Sequence, residues 1–412
     1  KIMIDTVDVR IDNLVYGGDA LGRLADGRVV FVQFANNGEM VRVRLVEDKP
    51  RHARAEMVEV LEPSPERVNP RCQHFTTCGG CHYQQMNYPN QLKVKAAILR
   101  EQLERIGGLR DFPAVEIEAA PEPLYYRNHI QFHLTNEGKL GFQKAHSNQP
   151  FAIRECHLPE VTINQLWPQI EIEPISGLER VSLRLGAEED MMLILASTDP
   201  QVVDFSIEDV VISVVQVGPA GSMVLAGSDH LVMDVLGRRF KVSAASFFQV
   251  NTLQAQAMVK HLTGHLPLKE DMTVLDVYSG VGLYSAFLAP KVKRLVGIEI
   301  SPDACEDFVT NLDEFDHVEL YEAPVEDVLT SINFTPDLIV MDPPRAGLGV
   351  KTIEGVLAQG AAHLAYISCD PATLARDSNQ LVAGGYSLER LTLFDMFPQT
   401  YHIESISFWE KD

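Results

Sequence analysis

The chain has 412 residues, of which 35 are basic and 57 acidic, so its formal net charge is −22. A hydrophobic fraction of 46% is typical of folded proteins, and this length predicts two or three domains. We find no apolar run of about 20 residues and no signal-peptide pattern in the first ten residues, so we expect a cytoplasmic protein without membrane contact. Six cysteines are too few for a disulfide scaffold, so we interpret them as intracellular free thiols, metal ligands or catalytic residues. The acidity argues against a protein that coats nucleic acid through bulk charge.

Residues 1–62 alternate apolar and polar side chains between frequent glycines, which predicts a small antiparallel, OB-like β-barrel. The runs 29–32 and 40–45 are predicted strands. In the second strand, Arg42 and Arg44 face outward. They could contact phosphate or form an ordinary solvated face.

A proline-rich linker begins at residue 63 and leads to a cysteine cluster and a predicted helix over residues 90–106. Gly107-Gly108 ends this helix, which we expect to pack on the catalytic domain. Its apolar positions fall on one stripe, namely Leu92, Ala96, Leu99, Leu103 and Ile106. The remainder up to residue 240 is rich in strands, so residues 63–240 are predicted to form a central, mixed α+β domain of undetermined topology.

Residues 241–412 alternate short apolar strands with helical stretches. This order predicts a Rossmann-like, doubly wound α/β domain. The predicted strands are 273–277, 294–300, 337–341 and 363–368.

The negative charge is unevenly distributed. The net charge is −2 over residues 1–62, −7 over residues 63–240 and −13 over residues 241–412. Residues 63–110 are the exception, with seven basic and three acidic side chains. This basic island lies beside the cysteine cluster and could grip a nucleic-acid backbone.

The first strand of the α/β domain runs into a glycine turn that is typical of nucleotide binding. Gly280 and Gly282 would let a ligand approach the backbone, and Glu299, at the end of the next strand, could accept hydrogen bonds from ribose hydroxyls. A nicotinamide dinucleotide and S-adenosylmethionine both fit this pattern. The dinucleotide fingerprint requires a third glycine where Ser285 stands, which favours S-adenosylmethionine.

A later strand ends in Asp342-Pro343-Pro344-Arg345. Two prolines after a polar residue predict a rigid loop beside the reacting centre. Amino methyltransferases carry an aromatic residue after the prolines, and here Arg345 follows. This difference argues against methylation of adenine N6 or cytosine N4.

Cys369 follows a strand at the same edge of the sheet. A buried, inert thiol is the ordinary interpretation of a single cysteine. A thiolate beside a methyl donor also suits one chemistry, because attack on carbon 6 of uracil makes carbon 5 nucleophilic. Glu404, near another strand end, could then remove the carbon-5 proton.

The C-terminal half resembles the RNA uracil-C5 methyltransferase family, which uses S-adenosylmethionine. The matching stretches are 248–251, 276–282, 342–347, 368–377 and 402–404, the last three being specific to that family. The resemblance implies Cys369 as nucleophile and Glu404 as base. The implied or predicted cofactor contacts are Gln249, Tyr278, Gly280, Gly282, Glu299 and Asp342. Phe247 could stack on a flipped base, or more simply belong to the core.

Cys72, Cys78 and Cys81 form a C-x5-C-x2-C pattern, and Cys156 lies in Arg154-Glu155-Cys156-His157. Four thiolates suit zinc or a [4Fe–4S] cluster, and the spacing alone does not choose between them. The resembling family has a branch with this arrangement that holds an iron–sulfur cluster behind an N-terminal TRAM barrel, which implies a [4Fe–4S] cluster here. Cys305 is predicted to be structural.

We therefore expect an enzyme that methylates carbon 5 of a uridine in structured RNA. The layout favours 23S ribosomal RNA, with transfer RNA as the alternative, and the target base must leave its stack. Nothing in the sequence indicates an obligate protein partner. The competing hypotheses are a non-catalytic RNA-binding or assembly factor and a redox protein that uses its cluster for electron transfer.

Overall fold

The computed structural model describes residues 6–172, 176–199 and 211–412. It begins with five strands: β1 (Thr6–Leu14), β2 (Ala20–Arg23), β3 (Val29–Val32), β4 (Met40–Asp48) and β5 (His52–Glu62). They close into a barrel in the order β1-β2-β3-β5-β4. The alternation of side chains explains the closure, because inward positions such as Val41 and Val43 are buried. The predicted barrel is confirmed, but it is not antiparallel throughout, since β3 and β5 pair in parallel.

The outward arginines of the barrel are paired with acids of the same barrel. Arg42 Nε lies 2.8 Å from Asp8 Oδ1, and Arg44 pairs with Glu56. Contact with phosphate would have to break these pairs. The structure therefore favours the solvated face over a phosphate site.

The next elements are α1 (Tyr88–Arg105) and β6 (Val115–Glu118). The predicted helix is present, but its buried stripe is not the predicted one, since Ile106 is 41% exposed while Gln91, Lys95 and Gln102 are buried. The buried face differs from the predicted one because it includes polar side chains. Lys95 Nζ donates to Asp395 Oδ1 at 2.6 Å, so a charged side chain lies on the inner face. Gly108, with φ +70°, ends the helix as predicted.

The central part contains a seven-stranded sheet with the order β13-β12-β11-β10-β7-β8-β9. Its elements are β7 (His129–Leu134), β8 (Leu140–Gln143), β9 (Pro150–Ala152), α2 (Val161–Leu166), β10 (Leu178–Leu185), β11 (Met191–Ser197), β12 (Ser213–Gly218) and β13 (Gly221–Ala226). A separate hairpin follows, β14 (His230–Val235) and β15 (Arg238–Ser243). All neighbours in the sheet pair antiparallel except β11 and β12, which are parallel.

The C-terminal part is an eight-stranded sheet with helices between its strands, as predicted. The elements are α3 (Thr252–His265), β16 (Thr273–Val277), α4 (Ser285–Leu288), β17 (Arg294–Glu299), α5 (Pro302–Asn311), β18 (Val318–Glu322), α6 (Val325–Leu329), β19 (Leu338–Met341), α7 (Val350–Gln359), β20 (His363–Ser368), α8 (Pro371–Ala383), β21 (Tyr386–Phe394) and β22 (Glu404–Lys411). The strand order is β18-β17-β16-β19-β20-β22-β21-β6. The first five strands are parallel, and β22 runs antiparallel to both of its neighbours.

This order brings the carboxyl ends of β16, β17, β19 and β20 to one edge, where β22 begins. Strand β6 completes the sheet although it lies within residues 63–240. The division into 1–62, 63–240 and 241–412 remains a prediction. One hydrophobic core runs from the barrel through α1 to the C-terminal sheet. No helix in the described part of the chain is long and apolar enough to cross a membrane.

Candidate active site

The predicted glycine turn after β16 is present and has a left-handed backbone at three residues. Tyr278, Gly280 and Gly282 all have positive φ, of 64°, 54° and 87°. A Cβ on Gly282 would lie 2.4 Å from Leu312, while one on Gly280 would meet nothing within 4 Å. Gly282 is therefore required for packing, and Gly280 leaves open space above the strand end.

Glu299 lies beside this turn. Its Oε2 accepts from the amide of Gly280 at 2.9 Å, and its Oε1 accepts from the amides of Ile300 and Ser301. These bonds hold the carboxylate at the edge of the sheet next to the open glycine. Ser285, where a dinucleotide site has glycine, donates to Asp276 Oδ2 at 2.5 Å. It therefore has a structural partner of its own.

The loop after β19 is locked against the helix that follows Cys369. The amide of Asp342 donates to Val277 O at 3.1 Å, which places Asp342 beside the glycine turn. Asp377 Oδ2 accepts from the amide of Leu348, and Arg376 donates to Ala346 O at 2.9 Å. The family-specific stretches 342–347 and 368–377 therefore form one unit.

Cys369 lies between β20 and α8 in a tightly bonded corner. Ser368 Oγ accepts from the amide of Asp370 and donates to its carbonyl, so the two neighbours of Cys369 are bonded to each other. Asp370 Oδ1 caps α8 by accepting from the amides of Ala372 and Thr373. The thiol is half-buried and free.

Strand β22 brings Glu404 to the same place. The antiparallel pairing of β20 and β22 ends with Ser368 opposite Ser405, so Cys369 and Glu404 follow one residue further on each strand. Glu404 is 4% exposed. The structure thus brings together the predicted nucleophile and base, which are 35 residues apart in the sequence.

The site is rich in acids. Burial raises the pKa of Asp276 to about 6 and, with the charge of Asp276, raises the pKa of Asp342 to about 8. Burial and the charge of Asp342 raise the pKa of Glu404 well above its ordinary value. Burial and the charges of Glu404 and Asp342 raise the pKa of Cys369 to about 12. Each negative charge in the site raises the pKa of its neighbours. A positive charge bound there will therefore favour ionisation of all four groups, namely the three carboxyl groups and the Cys369 thiol.

Arg345 is the cation that opposes this trend. Its charge lowers the pKa of both Cys369 and Glu404. The guanidinium lies 3.2 Å from His402 Nδ1, and burial together with Arg345 lowers the pKa of His402 to about 3. The imidazole is therefore neutral and can accept a hydrogen bond from Arg345.

Gln249 and Phe247 lie in the loop between β15 and α3. Gln249 is buried and its carbonyl accepts from Asn128 Nδ2 at 3.0 Å. Phe247 is 68% exposed, so the expectation of a core aromatic is wrong. Arg184, on β10, donates to the carbonyls of Ser243 and Ser246, both at 2.9 Å, and so holds the loop from the central sheet.

The four cysteines of the central part line one cavity of about 320 Å³. Burial raises the pKa of all four thiols, and negative charge on neighbouring cysteines further raises the pKa of Cys78, Cys81 and Cys156. Gly79 and Gly80 let the chain turn closely here, with the amide of Gly80 3.4 Å from Cys78 Sγ. Cys305 lies elsewhere, buried at the start of α5.

The cysteines surround a space and do not converge on one point. Over the described ranges, no group of three or more His, Cys, Asp or Glu side chains is arranged to hold a metal ion. The predicted metal site is therefore not confirmed. The same cavity is lined by Arg127 and by residues 400–402, which lead directly to Glu404.

Comparisons with known proteins identify the family of the chain. The model of the tRNA (Uracil-5-)-methyltransferase family matches residues 228–412, and that of the TRAM domain matches residues 5–58. An uncharacterized RNA methyltransferase of Streptomyces avermitilis is 33% identical over 436 residues, which cover 99% of each chain. One of Aquifex aeolicus is 33% identical over 418 residues, which cover 97% of each chain. The chain belongs to the RNA uracil-5 methyltransferase family.

One solved structure has the same fold as this chain over nearly its whole length. The tRNA (uracil-54, C5)-methyltransferase of Pyrococcus abyssi, in complex with S-adenosyl-L-homocysteine, superposes with a TM-score of 0.74. It is 23% identical and the match covers 98% of this chain and 100% of that chain. At this identity the likeness shows a common fold, and the predicted fold class is confirmed.

The sequence does not identify three side chains that the structure places at or near the candidate site. The sequence shows Arg345 only as a replacement for the aromatic residue of amino methyltransferases, whereas in the structure its charge acts on Cys369 and Glu404. Arg184 comes from a segment with no recognisable motif. Tyr16, in the barrel, lies 354 residues from its partner Asp370, and no local pattern connects them.

Proposed function

We propose that this chain transfers a methyl group from S-adenosylmethionine to carbon 5 of a uridine in structured RNA. The observation that carries the proposal is the placement of Cys369 and Glu404 at adjacent strand ends, beside Asp342 and the glycine turn. When bound, the cofactor supplies an electrophilic methyl group on a sulfonium, whose sulfur keeps the electrons of the broken S–CH3 bond and leaves as a neutral thioether. The positive charge of the sulfonium also suits an edge of the sheet that is lined with carboxylates.

Cys369 begins the reaction as a thiolate. Its sulfur attacks carbon 6 of the uracil, a carbon–sulfur bond forms, and the electrons of the C5–C6 double bond move toward O4 to give an enolate. Arg345 favours the thiolate because its charge lowers the pKa of Cys369. The bonded corner formed by Ser368 and Asp370 fixes the direction of attack.

Glu404 completes the reaction as a base. Carbon 5 of the enolate forms a bond to the methyl group and keeps its proton until the Glu404 carboxylate removes it. The electrons of that C–H bond restore the C5–C6 double bond and expel Cys369 as a thiolate. A buried carboxylate with a raised pKa is a stronger base than an exposed one, which suits this step.

The residues predicted to bind the cofactor suit its parts. Glu299 would accept from the ribose hydroxyls, and the open backbone at Gly280 would admit the nucleoside. Gly282, by contrast, serves the packing of the turn. The remaining proposed contacts are Gln249, Tyr278 and Asp342.

The RNA must present a flipped uridine. The exposed ring of Phe247 offers a stacking surface in the loop that also carries Gln249. The barrel arginines are paired with acids. In the basic island, residues 63–110, Lys95 is buried, and Arg67, Arg100 and Arg105 also have acidic partners. We therefore propose that phosphates are bound mainly by the exposed cations of the island, Arg71, Lys93 and Arg110. The TRAM-plus-cysteine layout favours 23S ribosomal RNA, and the description of the matched family favours transfer RNA as the second candidate.

We further propose that Cys72, Cys78, Cys81 and Cys156 hold a [4Fe–4S] cluster with a structural role. The donors are all thiols and they enclose a cavity, which suits a polynuclear cluster better than a single zinc ion. Anaerobically purified protein should show iron, sulfide and a broad visible absorption band. Cys81→Ser should lose them and the control Cys305→Ser should not. Zinc in place of iron would refute the cluster.

The test of the function is mass-spectrometric mapping of 5-methyluridine in ribosomal and transfer RNA from a deletion strain. One site should lack the modification and regain it with the wild-type gene, but not with Cys369→Ala. Purified Cys369→Ala should still bind S-adenosylmethionine. Normal methylation by this variant would exclude the thiol mechanism, and an unchanged modification map would exclude the proposed substrate class.

A further inference from the structure

The turn between β1 and β2 of the barrel reaches the catalytic centre. Tyr16 OH donates to Asp370 Oδ2 at 2.7 Å, across 354 residues of sequence. Asp370 directly follows Cys369, and its other carboxylate oxygen caps α8. The side chain next to the nucleophile is therefore held on one oxygen by its own helix and on the other by the barrel.

The approach of this turn depends on its glycines. Gly17 and Gly18 have φ of 103° and 93°. A Cβ on Gly18 would lie 3.2 Å from His82, so the turn and the segment after Cys81 are in close contact. The Tyr16 ring meets Tyr401 edge-on at 5.8 Å. The barrel turn therefore packs against two segments, the one that follows Cys81 and the one that contains Tyr401.

Tyr401 continues the contact toward the base and the cation. Its ring lies 4.6 Å from His82 and 4.4 Å from His402, and His402 contacts Arg345. Through these neighbours the barrel turn is connected to the loop before Glu404 as well as to the corner that carries Cys369.

We infer that Tyr16 is a positioning residue for the methyl transfer, and that the barrel helps to build the catalytic centre in addition to any contact it makes with RNA. The hydroxyl fixes Asp370 and so sets the orientation of the Cys369 corner. The inference rests on the proposed function. It also makes a prediction about the free enzyme, because the corner is assembled without RNA.

Tyr16→Phe removes the hydroxyl and keeps the ring on Tyr401. We expect kcat for methyl transfer to fall about tenfold, as for loss of a hydrogen bond to a charged group, with KM for S-adenosylmethionine within about twofold. Tyr386→Phe is the matched control, because it loses a hydrogen bond of the same 2.7 Å length to Ala361 O. Its kcat should be that of the wild type.

A double-mutant cycle separates positioning from general destabilisation. Asp370→Ser keeps a helix cap but has no second oxygen for Tyr16. In this background Tyr16→Phe should have no further effect on kcat. A full additional loss would overturn the inference, and so would a Tyr16→Phe variant that changes only KM for RNA.

Alkylation of Cys369 by iodoacetamide, followed by mass spectrometry of its peptide, tests the corner without RNA or cofactor. Tyr16→Phe should change the rate at Cys369 and leave the rate at Cys305 unchanged. An unchanged rate at Cys369 together with an unchanged kcat would refute the role of Tyr16 while leaving the proposed function intact. A wild type that makes no 5-methyluridine would refute the function instead.

Discussion

The buried ion pair between α1 and the segment before Glu404 gives the sharpest stability prediction. Lys95 Nζ lies 2.6 Å from Asp395 Oδ1 with both side chains fully buried, and it also donates to Phe397 O at 3.0 Å. Lys95→Met removes one partner and leaves a carboxylate without its counter-charge inside the protein. Breaking such a pair costs about 3–5 kcal/mol, or roughly two to four powers of ten in the unfolding equilibrium.

Replacing both partners should be much less harmful, since a buried pair exchanged for apolar residues is often close to neutral. We expect Lys95→Met with Asp395→Leu to recover most of the loss. The exposed Lys93 on the same helix supplies the control Lys93→Met, which should change the free energy of unfolding by less than about 0.5 kcal/mol.

Urea unfolding measures these differences. The chain has two tryptophans, and Trp409 lies in β22, so a Trp167→Phe background reports on the C-terminal sheet alone. A Lys95→Met variant as stable as the Lys93→Met control would refute the reasoning. So would a double variant that is less stable than the single one.

Three further changes have defined outcomes. Burial raises the pKa of Asp342 to about 8 from 3.8, so the folded state keeps a proton that the unfolded chain releases. Asp276 and Glu404 contribute in the same direction, so wild-type stability should fall as pH rises from about 4 to about 8. Asp342→Asn should make this fall shallower in urea titrations. Arg184→Met should raise KM for S-adenosylmethionine roughly tenfold by releasing the loop that carries Gln249, whereas Arg180→Met on the exposed side of β10 should not. Arg345→Gln should move the pH profile of Cys369 alkylation to higher pH.

Each of these can fail in a specific way. If the stability of Asp342→Asn has the same pH dependence as that of the wild type, groups other than Asp342 must hold the protons. Equal KM values for the Arg184 and Arg180 variants would mean that the loop keeps its shape without the two hydrogen bonds from Arg184. An alkylation profile that Arg345→Gln leaves in place would show that the charge of Arg345 is screened from the thiol.

The sequence predicts the parts of the site that are local in the chain. The glycine turn, Glu299 and Cys369 each follow a buried strand, and parallel strands bring their carboxyl ends to one edge. The sequence also suggests Glu404 as the base from its position near a strand end. Its closeness to Cys369, however, depends on the antiparallel pairing of β22 with β20, a long-range contact that neither strand's sequence specifies.

The sequence does not predict contacts that depend on tertiary partners. The inner face of α1 carries Lys95 because Asp395 lies opposite, and periodicity cannot anticipate a buried charge. Nor does the sequence show that the outward arginines Arg42 and Arg44 pair with acids on other strands of the barrel. Strand β6 joins the C-terminal sheet from an earlier segment, and its four residues carry no signal of that destination.

The central claim is that Cys369 bonds covalently to a uracil and that Glu404 releases it. Glu404→Gln, incubated with S-adenosylmethionine and the RNA that contains the mapped uridine, tests this claim most directly on a denaturing gel. We predict a protein–RNA adduct that mass spectrometry assigns to Cys369 and a methylated uracil, absent when Cys369→Ala is added to the variant. No adduct, or an adduct at another residue, would contradict the account.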